Sequence, residues 1–454
     1  MQHAEMLASE QATAAVPLPP LVPGLPLIGS GLEMLRDLPG FLVANYRRYG
    51  PIYRIRTPKE VLTVMVGQEA NQFVAQADGD LLRSREFWGE YAQEMGSPNQ
   101  ILGLNGEQHS WHRKMLKPSF SRTAATDRIP DLITVVREHV RHLQQGQRVP
   151  VVELFQRIVS DQLGLLMLGQ RPGEYLDDIR RTVRYTINTT VVHQWPTLAL
   201  HLPAYQRSKR RQRLFAQQLI DARRATPSAY PEDDFIILLL RAQAERPHHM
   251  TEADLVFSAL SPYVAGLDTV ASTCAFMLYH LLANPAQRAR VQAEVDAVFT
   301  GEPTAEALRR LPALHGAAME TMRLNPVTIA MQRNATRPFV FGGYRVDRGQ
   351  PILSAIGMTH YLPEHFPDPE RFDIDRYHEP RNEHRVRGVY SPFGVGPHTC
   401  LGAGLAEVQI AVTMGALLAS ARLELEPGYT LKTTIDPNPT PGRSFRVQLV
   451  SHAA

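Results

Sequence analysis

The stretch LVFSALSPYVAGLDTVASTCAFMLYHLL, residues 255–282, carries a single formal charge, Asp268. A run this apolar has two homes: a bilayer, which about 20 apolar residues suffice to cross, or the middle of a large folded core. A carboxylate near mid-span is costly in lipid. Ser261, Pro262, Gly266, Thr269, Ser272 and Thr273 add polar or helix-loosening features. The buried helix is therefore the expectation. It demands a thick core on every side, and 454 residues with 44% hydrophobic and 20% charged content can build one.

The rest of the pattern agrees on fold class. From residue 107 to about 326 nearly every segment reads helical, including DLITVVREHVRHLQ, RSKRRQRLFAQQLIDARRA and AQRARVQAEVDAVF. Strand signals are short: IYRIRT and VLTVMV before this region, FVFGGYRV and PILSAIG after it. The expectation is a mainly α fold with small β-sheets, in one large domain over 17–454. Residues 1–16 read as a disordered tail, and PLPPLVPGLPLIGSG (17–31) should run extended over a surface. The first residues include acidic groups and no apolar core, so no signal peptide or membrane anchor is expected and a cytoplasmic location is. A net charge of +3 without a basic tail argues against nucleic acid.

Only two cysteines are present, Cys274 and Cys400. That excludes a disulfide framework and a zinc site built on paired cysteines, and no C-x-x-C-H is present for covalent haem attachment. Cys400 lies in SPFGVGPHTCLGAG (391–404), with glycines at 394, 396, 402 and 404. A strand-like RVRGVYS precedes the loop and a helix beginning near LAEVQ follows. Glycine lets backbone approach another group closely, and a helix N-terminus favours a thiolate. The loop alone reads either as a glycine-rich turn with an incidental cysteine or as a metal-binding thiolate.

Further along, Glu320 and Arg323 are three apart on one helix face, as in many surface pairs. His109 and Arg113 share a face at i and i+4. Asp268 and Thr269 place an acid beside an alcohol, a plausible proton relay, although a helix threonine also commonly bonds back to its own backbone.

Taken together, these motifs resemble the cytochrome P-450 family of haem-thiolate monooxygenases over roughly residues 20–450. FGVGPHTCLG (393–402) matches its cysteine-ligand signature at Phe393, Gly394, Gly396, His398, Cys400 and Gly402. ETMR (320–323), PERF (369–372), AGLDT (265–269) and HSWHR (109–113) match four further motifs in family order. The resemblance implies haem b held by Cys400, whose thiolate pushes electron density onto iron and favours O–O cleavage. It implies a buried Glu320–Arg323–Arg371 network holding the cysteine loop. Gly266, Asp268 and Thr269 would serve oxygen activation. His109, Arg113, Arg333 and His398 would meet the haem propionates, with Phe393 and Gly402 beside the cofactor. Phe87, Trp88, Phe257, Leu260, Val264, Ala265, Ile329 and Ala330 would line the substrate pocket.

Two departures stand out. Residues 360–363 read HYLP, where the family usually carries an Arg or Asn before Asp-Pro, and the helix after Cys400 lacks the Leu-Ala-Arg-x-Glu of many bacterial members. With no fused flavin or iron–sulfur segment, the resemblance implies a soluble monomer of secondary metabolism. It would insert one oxygen atom of O2 into an apolar organic substrate. Electrons would come from NAD(P)H through a ferredoxin and its reductase or a flavodoxin-type donor. Arg113, Lys114, Lys117, Arg122, Arg381, Arg385 and Arg387 would form a positive docking face, with Arg113 turned inward. The alternatives are a peroxide-driven peroxygenase and a haem-binding or redox-sensing protein without turnover.

Overall fold

The apolar run forms two helices rather than one. A computed structural model describes residues 15–301 and 303–453. In it, Glu252–Ala259 ends at Leu260 and a second helix runs Ser261–Ala283. Pro262, in the first turn of the second helix, has no N–H to continue the earlier ladder. Thr251 and Asp254 close the start of the first helix with a reciprocal capping box.

Nine helices position the site. They are α1 (Gly89–Met95), α2 (Gly106–Leu116), α3 (Val151–Leu163), α4 (Leu176–Thr190), α5 (Pro203–Ala225), α6 (Glu252–Ala259), α7 (Ser261–Ala283), α8 (Pro312–Leu324) and α9 (Ala403–Ser420). Helix α7 runs through the centre and packs on α3, α8 and α9. Its buried residues go right round the helix, as an element enclosed by others requires. Two helical stretches, Glu252–Ala283 and Ala403–Ser420, are long and apolar enough to cross a membrane, and most of each is buried inside the fold.

The strands form small sheets at the edges. The largest runs in the order Ile52–Arg56, Val61–Val66, Pro351–Ala355, Met331–Ala335, Leu82–Arg83. The proline-rich lead-in lies extended along its edge, with Val22 N–H donating to the Arg54 carbonyl and Arg54 N–H to that of Pro20. The expected tail 1–16 lies outside the described residues except for its last two, and the Val16 carbonyl accepts from Arg345.

One local expectation fails. RVRGVYS is not a strand but a series of turns after a short 3-10 helix, Glu383–Arg385. Its backbone bonds to side chains instead of a neighbouring strand. Gln68 and Gln72 donate to the Arg387 carbonyl, and Asn71 donates to that of Gly388.

Candidate active site

The cysteine loop is built by its glycines. Gly394 and Gly396 adopt φ of +86° and +70°, and a Cβ on Gly396 would lie 2.8 Å from the Ala75 carbonyl oxygen. The Cys400 N–H donates to the Phe393 carbonyl at 2.8 Å and closes the loop. Cys400 is exposed, although its surroundings are crowded enough that desolvation pushes its thiol above the ordinary value. The Gly402 backbone N–H and the Arg113 charge act in the opposite direction, toward thiolate. Phe393 is half-buried against the main core.

Behind this loop sits a fully buried charge network. Arg323 grips Glu320 with both Nε and Nη2, at 2.7 and 2.8 Å. The third member is Arg376, not Arg371. Arg376 Nε donates to Glu320 Oε1 at 3.0 Å, and Glu320, Arg323 and Arg376 are all 0% exposed. The short 3-10 turn Ile374–Tyr377 packs on α8 and aims Arg376 inward, and Tyr377 Oη also donates to Glu320. Arg371 has an exposed side chain and contributes only its carbonyl, 3.4 Å from Arg323 Nη2. From the HYLP segment, His360 is completely buried. Its carbonyl accepts from Arg323 Nη1, and its Nε2 accepts from the N–H of Ser391, where the cysteine loop begins. Burial depresses His360 to about 3, so it acts here as a neutral acceptor.

Four cationic or basic side chains were expected to converge, and they divide into two pairs. Arg333 Nε donates to Asp78 Oδ1 at 3.0 Å, and His398 Nδ1 lies 2.8 Å from Asp78 Oδ2. His398 Nε2 is 3.1 Å from the Leu104 carbonyl, and its ring stacks on His109 with centroids 4.0 Å apart. Arg113 and His109 have side chains without a hydrogen-bonded partner among the described residues. Arg113 is half-buried and close enough to Cys400 for their charges to interact. Burial depresses His109 to about 3. Asp78 was missed by the sequence reading, because Asp-Gly at 78–79 reads as turn chemistry.

The centre of α7 separates the acid from the alcohol. Thr269 Oγ1 donates back to the Ala265 carbonyl at 2.8 Å. Asp268 is buried and accepts instead from Gln156 Nε2 of α3, at 2.6 Å. Gln156 Oε1 accepts in turn from Arg180 Nη2 of α4, at 2.5 Å. Desolvation pushes Asp268 up to about 6, against the Gln156 bond and the Arg180 charge. Gly266 faces Leu163 of α3. A Cβ there would meet Leu163 Cδ1 of α3 at 3.0 Å, so the missing side chain serves helix packing. Ala265 is exposed, alone among Ser261–Leu282 in an otherwise enclosed helix.

A cavity of about 410 Å³ opens among α1, α4, α5, α6 and the start of α7. Of the expected pocket residues, Phe257, Leu260 and Val264 line it. Phe87 and Trp88 approach through an edge-to-face chain running Phe87–Trp88–Tyr91–Phe257. Ile329 and Ala330 do not line this cavity. They pack on the cluster around Tyr53 and Val64 beside the large sheet. Of the proposed positive face, Arg122 pairs with Glu407, Arg381 with Asp373 and Glu383, and Arg385 with Glu379. Lys114, Lys117 and Arg387 carry no ion pair among the described residues.

An exposed cysteine in a rigid loop, an unpaired half-buried arginine beside it and an accessible stretch of a central helix fit a flat, dianionic, metal-bearing ligand. The comparisons with known proteins agree. The family model Cytochrome P450 matches residues 19–445, and the chain belongs to that family. A cyclooctat-9-en-7-ol 5-monooxygenase from Streptomyces melanosporofaciens is 28% identical over 343 residues, covering 73% of this chain and 74% of that protein. Cytochrome P450 136 of Mycobacterium tuberculosis is 28% identical over 424 residues, 92% of this chain and 85% of that one. Among solved structures, retinoic acid-bound cyanobacterial CYP120A1 superposes with a TM-score of 0.83 at 24% identity, covering 96% of this chain and all of that one. The chain is thus a cytochrome P-450 monooxygenase, an oxidoreductase with a haem-iron cofactor.

Proposed function

We propose that Cys400 would hold the iron of a haem b and that the chain inserts one atom of O2 into an apolar organic substrate. The observation that carries this reading is the exposed Cys400 with the unpaired Arg113 charge beside it. Bound haem supplies oxygen activation at iron, and the thiolate tunes it. Arg113 and His109 would hold the propionates of a bound haem. Arg333 and His398 stand behind them, oriented by Asp78. Glu320, Arg323 and Arg376 hold the segment from His360 to Ser391 that carries the cysteine loop. The Gly402 N–H tempers the sulfur charge. Thr269 moves a proton at its Oγ after exchanging the Ala265 carbonyl for another partner, and Asp268 holds one in reserve.

The substrate is apolar because the cavity beside α7 is walled by Met95, Ile179, Val256, Phe257, Leu260 and Val264. The Streptomyces relative, named for a cyclic alkenol, supports an apolar carbon skeleton. The protein works as a cytoplasmic monomer of secondary metabolism. It takes electrons from NAD(P)H through separate ferredoxin- or flavodoxin-type carriers that dock near Lys114, Lys117 and Arg387. The deciding experiment is the spectrum of the reduced, carbon-monoxide-bound protein. A red-shifted Soret band of thiolate ligation is expected, and Cys400→His should abolish it. A histidine-type band in the parent would sink the assignment.

A further inference from the structure

The cavity contains one polar group that the chain itself leaves unused. Helix α5 turns a stripe inward: Tyr205, Ser208, Gln212, Phe215, Ala216, Leu219, Ile220 and Arg223 are buried. The other polar members of this stripe bond within the protein. Tyr205 Oη donates to Glu94 at 2.7 Å, Ser208 Oγ donates to Asp178 at 2.7 Å, and Arg223 Nη2 donates to the Leu168 carbonyl at 2.6 Å. Gln212 is 5% exposed and lines the cavity, yet its carboxamide has no hydrogen-bonded partner among the described residues.

The other polar residues around the cavity each bond within the protein. Arg213 Nη2 donates to the Met95 carbonyl at 2.9 Å. Glu252 accepts from both Arg224 nitrogens, at 2.9 and 2.7 Å, and from Gln243. A carboxamide that faces a cavity without a protein partner is left to bond whatever enters it. The rest of the lining, including Ile179, Val256, Phe257, Leu260 and Val264, is apolar.

We propose that Gln212 is the specificity-determining anchor of the substrate cavity, and that the ligand is an apolar molecule bearing one neutral hydroxyl. A carboxamide presents a carbonyl acceptor and an NH2 donor side by side. A hydroxyl uses both, donating to Oε1 and accepting from Nε2, whereas a hydrocarbon uses neither. Anchored there, the carbon skeleton lies along Phe257 and Leu260 toward Val264, the neighbour of the exposed Ala265. The anchor fixes which end of the ligand stays away from Thr269. This inference rests on reading the cavity as the substrate site of a haem-thiolate enzyme.

The test uses the holoenzyme with cyclododecanol and cyclododecane, one skeleton with and without the hydroxyl, measured by equilibrium dialysis. The ratio of their dissociation constants should favour the alcohol in the parent and move about tenfold toward the hydrocarbon in Gln212→Leu, the scale of one net hydrogen bond. Gln212→Met, which keeps length and flexibility, should match Gln212→Leu and guards against a packing defect in either. A ratio unchanged in both variants, or no binding of cyclododecanol to the parent, overturns the anchor. A parent with the thiolate spectrum but an unmoved ratio loses the anchor and keeps the enzyme reading. A parent without that spectrum loses the enzyme reading, while the dialysis ratio still judges Gln212.

Discussion

Glu320 of α8 and Asp268 of α7 are both buried carboxylates, on helices that pack on each other, and the structure treats them differently. Glu320 accepts from Arg323 twice, from Arg376, from Tyr377 and from the Asp373 N–H. Asp268 accepts one bond, from the neutral amide of Gln156. Two arginines and two further donors saturate the first and leave it no freedom to turn. The second has no direct cationic partner among the described residues, and desolvation raises its pKa to about 6. A carboxylate saturated with donors is a scaffold. One left short of them can take up a proton near neutral pH, which the chemistry beside α7 needs and the cysteine loop does not.

The largest expected effect tests the saturated side. Glu320→Ala or Arg323→Ala strands buried charge, a loss of about 3–5 kcal/mol, and should give haem-poor or insoluble protein. Arg376→Ala should behave the same way, whereas Arg371→Ala, at an exposed side chain, should stay within about 0.5 kcal/mol of the parent. Thermal unfolding of these four variants decides whether Arg376 or Arg371 is the third member. Equal losses at both positions would break the comparison.

The next effect tests the under-bonded side by pH. A folded pKa near 6 against a reference of 3.8 means that the native state binds the extra proton between those values. Stability therefore falls as pH rises from about 4 to 6, by roughly 3 kcal/mol for a two-unit shift. The groups facing Asp268 are Gln156 on α3, Arg180 and Arg184 on α4, and Asp436 in the hairpin Thr434–Thr440. Asp268→Asn cannot titrate, so its stability relative to the parent should climb across that window. Urea unfolding at pH 4.5 and 7.5 measures it, and parallel behaviour of the two proteins would remove the raised pKa.

A smaller, kinetic effect is expected at Thr269. Thr269→Ala should keep substrate binding and divert reducing equivalents to hydrogen peroxide or water, lowering product per NAD(P)H several-fold, within the range of a lost acid–base group. An unchanged ratio would mean that the back-bond to Ala265 is the threonine's whole role.

The sequence exposed the saturated side better than the other. Its parts come with fixed local spacing, Glu-x-x-Arg on a helix and glycines around a cysteine, so they could be matched without knowing the fold. Arg371 is the expectation and Arg376 the finding because PERFDIDR offers two arginines, and only the 3-10 turn at Ile374–Tyr377 shows which one points inward. Gln156 and Gln212 carried no signal. A glutamine on a helix reads as solvated surface until packing brings α3 against α7 and leaves α5 facing a cavity. Asp78 belongs with them: its partners, Arg333 and His398, lie more than 250 residues away in the chain. RVRGVYS failed for the opposite reason, a strand pattern with side chains where a neighbouring strand would have to be.

The smallest expected effect concerns the outer surface of the cysteine side, where charges are neither saturated nor buried. Seven cations were read as one docking face, but Arg122, Arg381 and Arg385 are neutralised by carboxylates and Arg113 turns toward Cys400. Lys114, Lys117 and Arg387 remain. Lys114 and Lys117 follow Arg113 at the end of α2 with both side chains exposed, so their field reaches solvent over the helix that also carries His109 and Arg113. Exposed charges act on encounter more than on affinity, and screening shortens their reach from about 10 Å at 0.1 M salt to about 3 Å at 1 M. The first electron-transfer rate from an acidic ferredoxin should therefore fall as salt rises. Lys114→Glu and Lys117→Glu should each lower it a few-fold at low salt and lose that difference at high salt. Arg381→Glu, which reverses a cation already held by Asp373 and Glu383, should disturb those pairs and show a smaller salt-dependent change. If Arg381→Glu slows transfer more than the two lysine reversals, the partner docks over the connector before the cysteine loop and not over α2.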